Sequence, residues 1–571
     1  MPLGKAIKIP FPTSSFPGGS PQESAGRLIN VFAEPLGDTG PERVVYRRSS
    51  GLTLFTPTAQ TGYRGGSLVA TKAYEVFGGA GANVITVDST GAITTLTGNL
   101  PGTKGVQIAR NNAASPNVIA VDLDNGAYQL DTGTVTAYNG SGVLPQPKAV
   151  CFQDGYLFFG IADRRVFATG LNALTMNALT FTSVQAKSSD ILMRVIPFGG
   201  LLFVFCSSCT EIWQDTAQPA PGFPYSRMVV IEYGLAQENA IAGFEDGFSI
   251  LTWVAQDYGV WQLQPGQFQP TKISPPDLDR LLSLAIQAGT LLDARCYIVD
   301  GHKFWCISSP TWTWEFNCDT QKWSERMSLV QDRVPSRWRS LYGHPAFGKW
   351  ICGDTQTGSL LFMDEHNFTE NGSPLLSRME SGPVVDFPNR LRIARADFHF
   401  VTGVGQASNM LAVNVTGAAA GTNGVVRLTV NTLVGTTFSI VEGDQVIVAN
   451  VGGTTEANGA WNVHVVDSTH IELLGSVFAN AWTSGGTVTD TKSVPNVVNP
   501  TVAISLSRDD GLTFGNPWYR SLGQQAKSKT RISVKNAGLS GAAGDRWRWD
   551  ISDPVYCAFI DATQSSELRE Y

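Results

Sequence analysis

Charge is scarce in this 571-residue chain: Asp, Glu, Lys and Arg make up 16% of it, against a usual share of about 25%. Lys and Arg total 41 and Asp and Glu 48, for a net charge of −7. That excludes a strongly basic surface overall, though not a local basic patch. Long apolar runs are missing too. The most apolar stretch, 196–206, contains Pro197, Gly199 and Gly200 and is far shorter than the ~20 residues of a membrane span. The N-terminus carries Lys5 and Lys8 but no apolar stretch before Pro10 and Pro12, so the chain is expected to lack a targeting segment, to be made in a cytoplasm and not to insert directly into a membrane.

Catalytic signatures are equally absent. There is no GxSxG elbow, no GxxxxGK[ST] phosphate loop and no HExxH. The six histidines are scattered, and Cys206-Ser-Ser-Cys209 has no second CxxC to complete a tetrahedral zinc set. The eight cysteines therefore read as plain thiols, and the expectation is no catalytic residue, no cofactor and no metal.

What the chain does have is turns and aromatics: 59 Gly and 30 Pro, with 29 Phe, 14 Trp and 14 Tyr. Seven segments repeat one pattern, an apolar strand, a polar or Gly turn, and a second strand. They are 85–96, 119–130, 157–169, 203–213, 251–263, 303–317 and 349–363. A further strand with its own turn precedes most of them, as at 147–159, 194–205, 241–253 and 293–306. Four strands per unit in an all-β chain fit propeller blades, which bury their faces only by stacking around an axis. The spacing predicts a six- or seven-bladed β-propeller, with 44–55 completing the last blade. Helix is expected at 278–294, after Pro275-Pro276, and more weakly within 170–190.

The rest of the chain divides by composition. Residues 1–43, interrupted by six prolines from Pro10 to Pro41, read as an extended N-terminal arm that needs another surface to order it. Within it Arg27 to Ala33 is a possible strand. The propeller spans 44–375. Residues 376–405 and 497–571 form a discontinuous C-terminal β domain, the expected tube domain. Between them 406–496, rich in Ala, Gly, Val and Thr and poor in Lys and Arg, reads as a small inserted β module.

Basic residues are local. Arg390 and Arg392 share a strand face, with Arg395 on the other face if alternation holds. Lys527, Lys529, Arg531 and Lys535 form a second group, and Arg333, Arg337 and Arg339 around Trp338 a third. Each could meet acidic groups at a subunit interface or the phosphates of DNA, the interface being the preferred reading. The stretch Ser507-Arg508-Asp509-Asp510-Gly511-Leu512-Thr513-Phe514 resembles the Asp-box turn of sialidases, with Phe514 where that motif has Trp. A glycan-binding or glycan-cleaving propeller is therefore the alternative function.

Two ends of the chain carry a more specific resemblance. The Pro-rich opening, the run from Ser24 to Glu34 with Arg27, Asn30 and Glu34, and Arg47-Arg48-Ser49-Ser50-Gly51 resemble the start of packaged-DNA stabilisation proteins of short-tailed phages, also called tail nozzle or tail tubular proteins. The ending is similar to the same family through Arg508, Asp509, Gly511, Trp518, Arg520, Ser521, Leu522 and Gly523, then Arg546 to Asp553-Pro554. The resemblance implies a structural virion protein of the phage tail, assembled in the host cytoplasm. It implies a homo-hexameric nozzle below the head-to-tail adaptor ring, with a tail fibre, tailspike or needle as possible partners. It implies retention of packaged DNA in the capsid, and passage of double-stranded DNA through the lumen at ejection without sequence recognition. A neutral to acidic lumen wall is expected, with Lys527, Lys529, Arg531 and Lys535 bound to acidic groups of an adjacent subunit or adaptor.

Overall fold

A computed structural model of the chain describes all residues except 1–4, 37–43, 188, 219–220, 246, 332–333, 386–389, 403–412, 434–439, 441, 491–499, 524–529, 542–543 and 570–571. The fold is all-β apart from one α-helix and a few short 3-10 turns among these residues.

Between 51 and 364 the strands form four-stranded antiparallel units. Five are separate sheets, which begin at Thr61, Val106, Pro147, Leu192 and Ile241. The sixth, Asp293–Val299 to Lys322–Val330, is one end of a larger sheet. The seventh joins Ser340–Ala346, Lys349–Asp354 and Leu360–Asp364 to the early strand Gly51–Thr56. Local chemistry explains the hairpins. Asp154-Gly155, Gly199-Gly200, Asp300-Gly301 and Phe347-Gly348 all have positive φ at both residues, the turn whose twist matches paired strands. The middle strands are buried on both faces, as in Val118–Asp122, because each unit packs its two faces against different neighbours.

Those neighbours close on themselves. One apolar cluster joins the first unit to the second through Val76, Val84, Val118 and Ala120. Others join the second to the third, the third to the fourth, and the fourth to the fifth. The fifth and sixth share a cluster that includes Leu278 and Leu282 of the helix. The sixth and seventh meet at Tyr297, Phe304, Cys352 and Leu361, and the seventh returns to the first at Ile351, Leu360, Phe77 and Ile85. The leading strands lie nearest the axis, where neighbours touch. There Gly105, Asn239 and Tyr342 converge from the second, fifth and seventh units. A Cβ on Gly105 would lie 2.6 Å from the Tyr342 hydroxyl and 2.7 Å from Asn239 Nδ2.

Three sequence expectations change in detail. The 85–96 hairpin pairs the third and fourth strands of its unit, whereas the other six pair the second and third. Its counterpart in phase is 72–87, whose turn at 79–83 lacks the compact form of the rest. The helix is Pro276–Gln287 and stops before Gly289, which sits at φ +67. Among the described residues of 170–190 there is no helix. Met176–Ser183 is an edge strand beside Arg165–Thr169, since Thr180, Phe181 and Thr182 favour a pleated surface.

The remaining strands build a sandwich and a barrel. One sandwich sheet runs Val31–Pro35, Val44–Arg48, Cys557–Arg569, Arg390–Thr402, Thr530–Leu539, with Lys5–Lys8 added alongside Cys557–Arg569. The other runs Arg27–Ile29, Ser377–Glu380, Arg546–Ile551, Thr501–Ser507, Trp518–Ser521. Phe398, Phe400, Ile504, Trp547, Trp549 and Phe559 fill the space between them. Thus 44–55 is shared: its first half belongs to the sandwich and its second half to the seventh unit. Residues 413–490 form a closed six-stranded barrel with its own core, Val426, Leu428, Val446, Val463, Ile471 and Leu473 among others. Its first and last strands pair with each other, Val413 opposite Val488.

A closed barrel with a private core and adjacent ends is expected to be separable. Joining Thr402 to Thr501 through a short Gly/Ser linker should leave the circular-dichroism spectrum all-β and the remaining unfolding transition in place. A fragment 413–490 should fold alone. Loss of the sandwich transition in the shortened chain would show that the barrel stabilises its host.

Candidate functional site

The second sandwich sheet does not end at Arg27–Ile29. Ile29 pairs in parallel with Glu325, so Arg27–Ile29 lies between the last strand of the sixth unit and Ser377–Glu380, and one ten-stranded sheet runs from ring to sandwich. The residues that carry the family resemblance in the opening gather at this joint.

Arg27 donates from Nε and Nη2 to the two oxygens of Glu325, at 3.0 and 2.6 Å, and Glu325 also accepts from Ser15 Oγ at 2.6 Å. The Glu325 carboxylate holds the guanidinium pKa above its ordinary value. The ion pairing continues along the same face. Arg378 grips Asp550 at 2.7 and 2.9 Å, and Arg548 lies 3.9 Å from Glu380, 3.7 Å from Asp550 and 4.2 Å from the Phe514 ring. Three arginines and three carboxylates thus alternate across four strands.

Asn30 breaks the expected strand 27–33 in two. It sits at φ 53, a left-handed conformation that Asn tolerates, and is fully buried. Its Nδ2 donates to the carbonyls of Met327 and Leu376, each at 2.8 Å, and its Oδ1 accepts from the Met327 N–H at 3.1 Å. One side chain therefore ties the arm to the sixth unit and to the sandwich. Beyond it Glu34 pairs with Arg47, which donates to the Tyr556 hydroxyl at 2.5 Å, and His302 lies 3.4 Å from Glu34. Arg48 is buried and makes no ion pair within 4 Å among the described residues. It donates to Ser377 Oγ and to the carbonyls of Leu375, Asp553 and Val555, between 2.6 and 3.0 Å, and burial pushes its pKa down to about 10. Asp553 accepts from the Thr501 N–H at 2.6 Å. At Gly51 an added Cβ would lie 2.0 Å from the Thr369 carbonyl, so a backbone contact there requires glycine.

The closing motif makes a second clamp. Asp509 accepts from Ser507 Oγ, the Thr513 N–H and Thr513 Oγ1, and these bonds lower its pKa to about 2. Gly511 at φ +93 completes the turn. Asp510 binds Arg546 Nε at 2.6 Å, and Arg546 reaches back to the carbonyls of Ser24 at 2.6 Å and Gln22 at 3.3 Å in the arm. These two carboxylates are occupied as turn and clamp groups. Arg508 binds the Ala537 carbonyl, and Trp518 packs 6.2 Å from Trp547. The Leu522 N–H reaches the Pro500 carbonyl, and Gly523 adopts φ +99. Arg520 is exposed and bonds the Tyr519 carbonyl; Ser521 is exposed on the same edge strand, and half-buried Pro554 follows Asp553.

The basic groups separate. Lys527, Lys529 and Arg333, and the side chain of Arg390, lie outside the described residues. Arg339 is buried against Asp354, at 2.6 and 2.9 Å, and Arg337 bonds the carbonyls of Trp338 and Ser340. A bulge at Ala394 breaks the alternation, so Arg395 returns to the face of Arg392 instead of crossing to the other. Arg395 and Arg531 both bind Asp397 of the same chain, where Arg531 was expected to meet an acid on another subunit. Cys206 and Cys209 are buried; Cys209 donates to Asp190 at 3.1 Å, and contact with Cys209 raises the Cys206 pKa. No group of three or more His, Cys, Asp or Glu placed to hold a metal occurs among the described residues. Glu325 and Asp397 were not picked out in the sequence, since Arg27 lies 298 residues from Glu325 and Arg531 lies 134 from Asp397.

Residues 27–367, more than half of the chain, match the family described as Bacteriophage P22 Gp10, beta-propeller. No curated protein sequence matches. Among solved structures, the β-propeller domain of Myceliophteria thermophila Cps50 (Swd1) is 8% identical with a TM-score of 0.36, over 55% of this chain and 99% of that one. BamB from Moraxella catarrhalis is 10% identical with a TM-score of 0.33, over 64% and 98%. At such scores neither bears on role.

Replacing Asn30 with Ala removes three hydrogen bonds and places Ala at positive φ, at a cost of about 3–4 kcal/mol. Calorimetry should show the ring and sandwich transitions moving apart; a single unshifted transition would contradict the joint. Asp545 offers a test in pH. It is fully buried, with Oδ1 bonded to the Gly541 N–H at 3.0 Å and Oδ2 without a hydrogen-bond partner among the described residues, and burial raises its pKa to about 6. The folded state therefore holds this proton more tightly than the unfolded chain, and the stability it confers is lost as pH rises from about 4 to about 6. Asp545→Asn should stabilise the protein by about 2–3 kcal/mol above pH 6 and by little below pH 4, read as the difference between denaturant midpoints.

Proposed function

The chain belongs to the family described as Bacteriophage P22 Gp10, beta-propeller, and from that premise we propose how its parts are put to use. Its role is structural and non-enzymatic: in the phage tail it retains packaged DNA and conducts it at ejection. We read the ring as a seven-bladed propeller closed by Gly51–Thr56, supported by the cycle of shared apolar clusters. The sandwich is the tube domain, divided in sequence by the 406–496 module, and the arm 1–43 is its link to the propeller.

The observation that carries the assembly is the closed axis. Gly105, Asn239 and Tyr342 meet across the ring, so a duplex, whose major groove alone is about 12 Å wide, has no path along the ring axis. The conduit is therefore built from several copies around a common axis. We propose six, seated below a head-to-tail adaptor ring, with a fibre, spike or needle attached, assembled in the host cytoplasm and carried in the virion. Two sheet edges favour such closure: Thr530–Leu539 and Trp518–Ser521 each end a sheet on the side away from the ring. A glycan platform finds no support in the tryptophans, all fourteen of which are buried or half-buried, and Tyr519 is an isolated exposed ring.

Particles assembled without this chain should lose their DNA to added nuclease, and supplying the chain should restore protection. Particles that keep their DNA without it would overturn the retaining role. Negative-stain images of the purified chain should show rings or tubes, and a monomer at every concentration would sink the six-copy assembly.

A further inference from the structure

The first sandwich sheet has one face in the core; its other face is covered by the ring at Phe32 and carries polar side chains along Arg390–Thr402 and Thr530–Leu539. On its central strand Ile393, Ala396, Phe398 and Phe400 point into the core. Because of the bulge at Ala394, Arg392, Arg395, Asp397 and His399 all point the other way. Register places their neighbours in rows. Arg395 lies between Ser565 and Lys535, Asp397 between Thr563 and Ser533, and His399 between Asp561 and Arg531. Lys8 lies beside Thr563.

Asp397 is the centre of this lattice and is nearly inaccessible, with 3% of its side chain exposed. It accepts from Arg395 Nε at 2.7 Å, from Ser533 Oγ at 2.5 Å and from Arg531. The two arginine side chains stay open to solvent, 40% and 55% exposed. Asp561 is engaged by His399 at 2.7 Å. Lys8 and Lys535 are exposed, with no ion pair among the described residues. The face therefore offers guanidinium, ammonium and hydroxyl groups around the sunken carboxylate of Asp397, while a second carboxylate, Asp561, is held by His399. The groups that contact nucleic-acid phosphates are Arg, Lys, Ser and Thr. The core of a protein–protein interface is enriched in apolar side chains, and among the described residues of this face Leu539, at the rim, is the exposed large apolar one.

We propose that this face touches the phosphodiester backbone of duplex DNA, and that Asp397 is a built-in counter-charge that keeps Arg395 and Arg531 from holding it. The inference rests on the DNA-conducting role and names the surface that meets the DNA. A conduit must contact its cargo without trapping it. Each phosphate neutralised by a free cation releases counterions and steepens the salt dependence by about 0.9. A carboxylate already neutralising both guanidiniums from below reduces what they gain from a phosphate above.

The test uses the full-length protein and a fluorescein-labelled duplex of about 30 base pairs, with anisotropy measured over a range of KCl concentrations. The wild type should bind weakly with a shallow salt slope. Asp397→Asn should tighten binding several-fold and steepen the slope by about 1 to 2. The double variant Arg395→Gln/Arg531→Gln should lose most binding, while Lys104→Gln, on the propeller, should behave as wild type. Near-UV circular dichroism checks folding; if Asp397→Asn misfolds, the double variant and Lys8→Gln/Lys535→Gln decide. Unchanged affinity and slope in both Asp397→Asn and the double variant would overturn the proposal. So would lattice variants that bind DNA normally but sediment as monomers, which would make the face a contact between copies. Either result leaves the nuclease test of DNA retention standing, so the two readings fail separately.

Discussion

Arg27–Ile29 occupies one hydrogen-bonding position between two β systems, and the geometry of both depends on it. A strand has two edges, and here one is given to the ring through Glu325 and the other to the sandwich through Arg378, Met379 and Glu380. Were the strand to leave, Ser377–Glu380 and Lys322–Val330 would each expose an edge, and buried backbone groups without partners are costly. Three residues cannot hold that position by backbone bonds alone. Arg27 fixes the register by gripping Glu325. Leu28 points into the sandwich core, and Asn30 ends the strand with bonds to both sides. The turn at Asn30 then sends Phe32 under the ring, where it meets Phe304 at 5.4 Å, while Val31 and Ala33 stay in the sandwich.

Arginine does this work because the joint is rich in carbonyls. Arg48 and Arg546 each reach groups in separate segments, and a planar fork with five donors can satisfy several acceptors at fixed angles where lysine could not. The desolvation of such groups is large, as the lowered pKa of Arg48 reflects, so they add little net stability. Their contribution is definition. Removing either fork would leave carbonyls from two segments unpaired in a dry site, which penalises every alternative docking angle of ring and sandwich.

The repeat was legible because its signals are local. A turn such as Asp154-Gly155 and the apolar residues on either side lie within a dozen positions, and they set a hairpin whatever the rest of the chain does. The one slip, at 85–96, arose because the Asp88 turn between the third and fourth strands has the same chemistry as the turns elsewhere: its carboxylate accepts from the Thr90 and Ala92 N–H groups. The joint was visible only as a resemblance. Arg27, Asn30 and Glu34 could be picked out, but Glu325 lies 298 residues from Arg27, and no spacing rule connects them. The bulge at Ala394 was hidden for another reason. Period-2 alternation is the only face signal a strand offers, and one inserted residue inverts it for everything that follows.

That inversion bears on how the sandwich can serve a conduit. With strict alternation Arg395 would point into a core made of Phe398, Phe400 and Trp547, where a guanidinium without a carboxylate would be severely desolvated. The bulge instead gathers the cations of the strand on the face away from the core and supplies them with Asp397. The same strand is the longest link between the two halves of the C-terminal sequence, paired along its length with Cys557–Arg569 and with Thr530–Leu539. The insertion after Thr402 leaves both pairings intact, because the barrel brings its own ends together. A face that must stay in register over many residues is thus held by two long ladders. The extra module hangs from its end, where it adds mass without shifting a single row of the lattice.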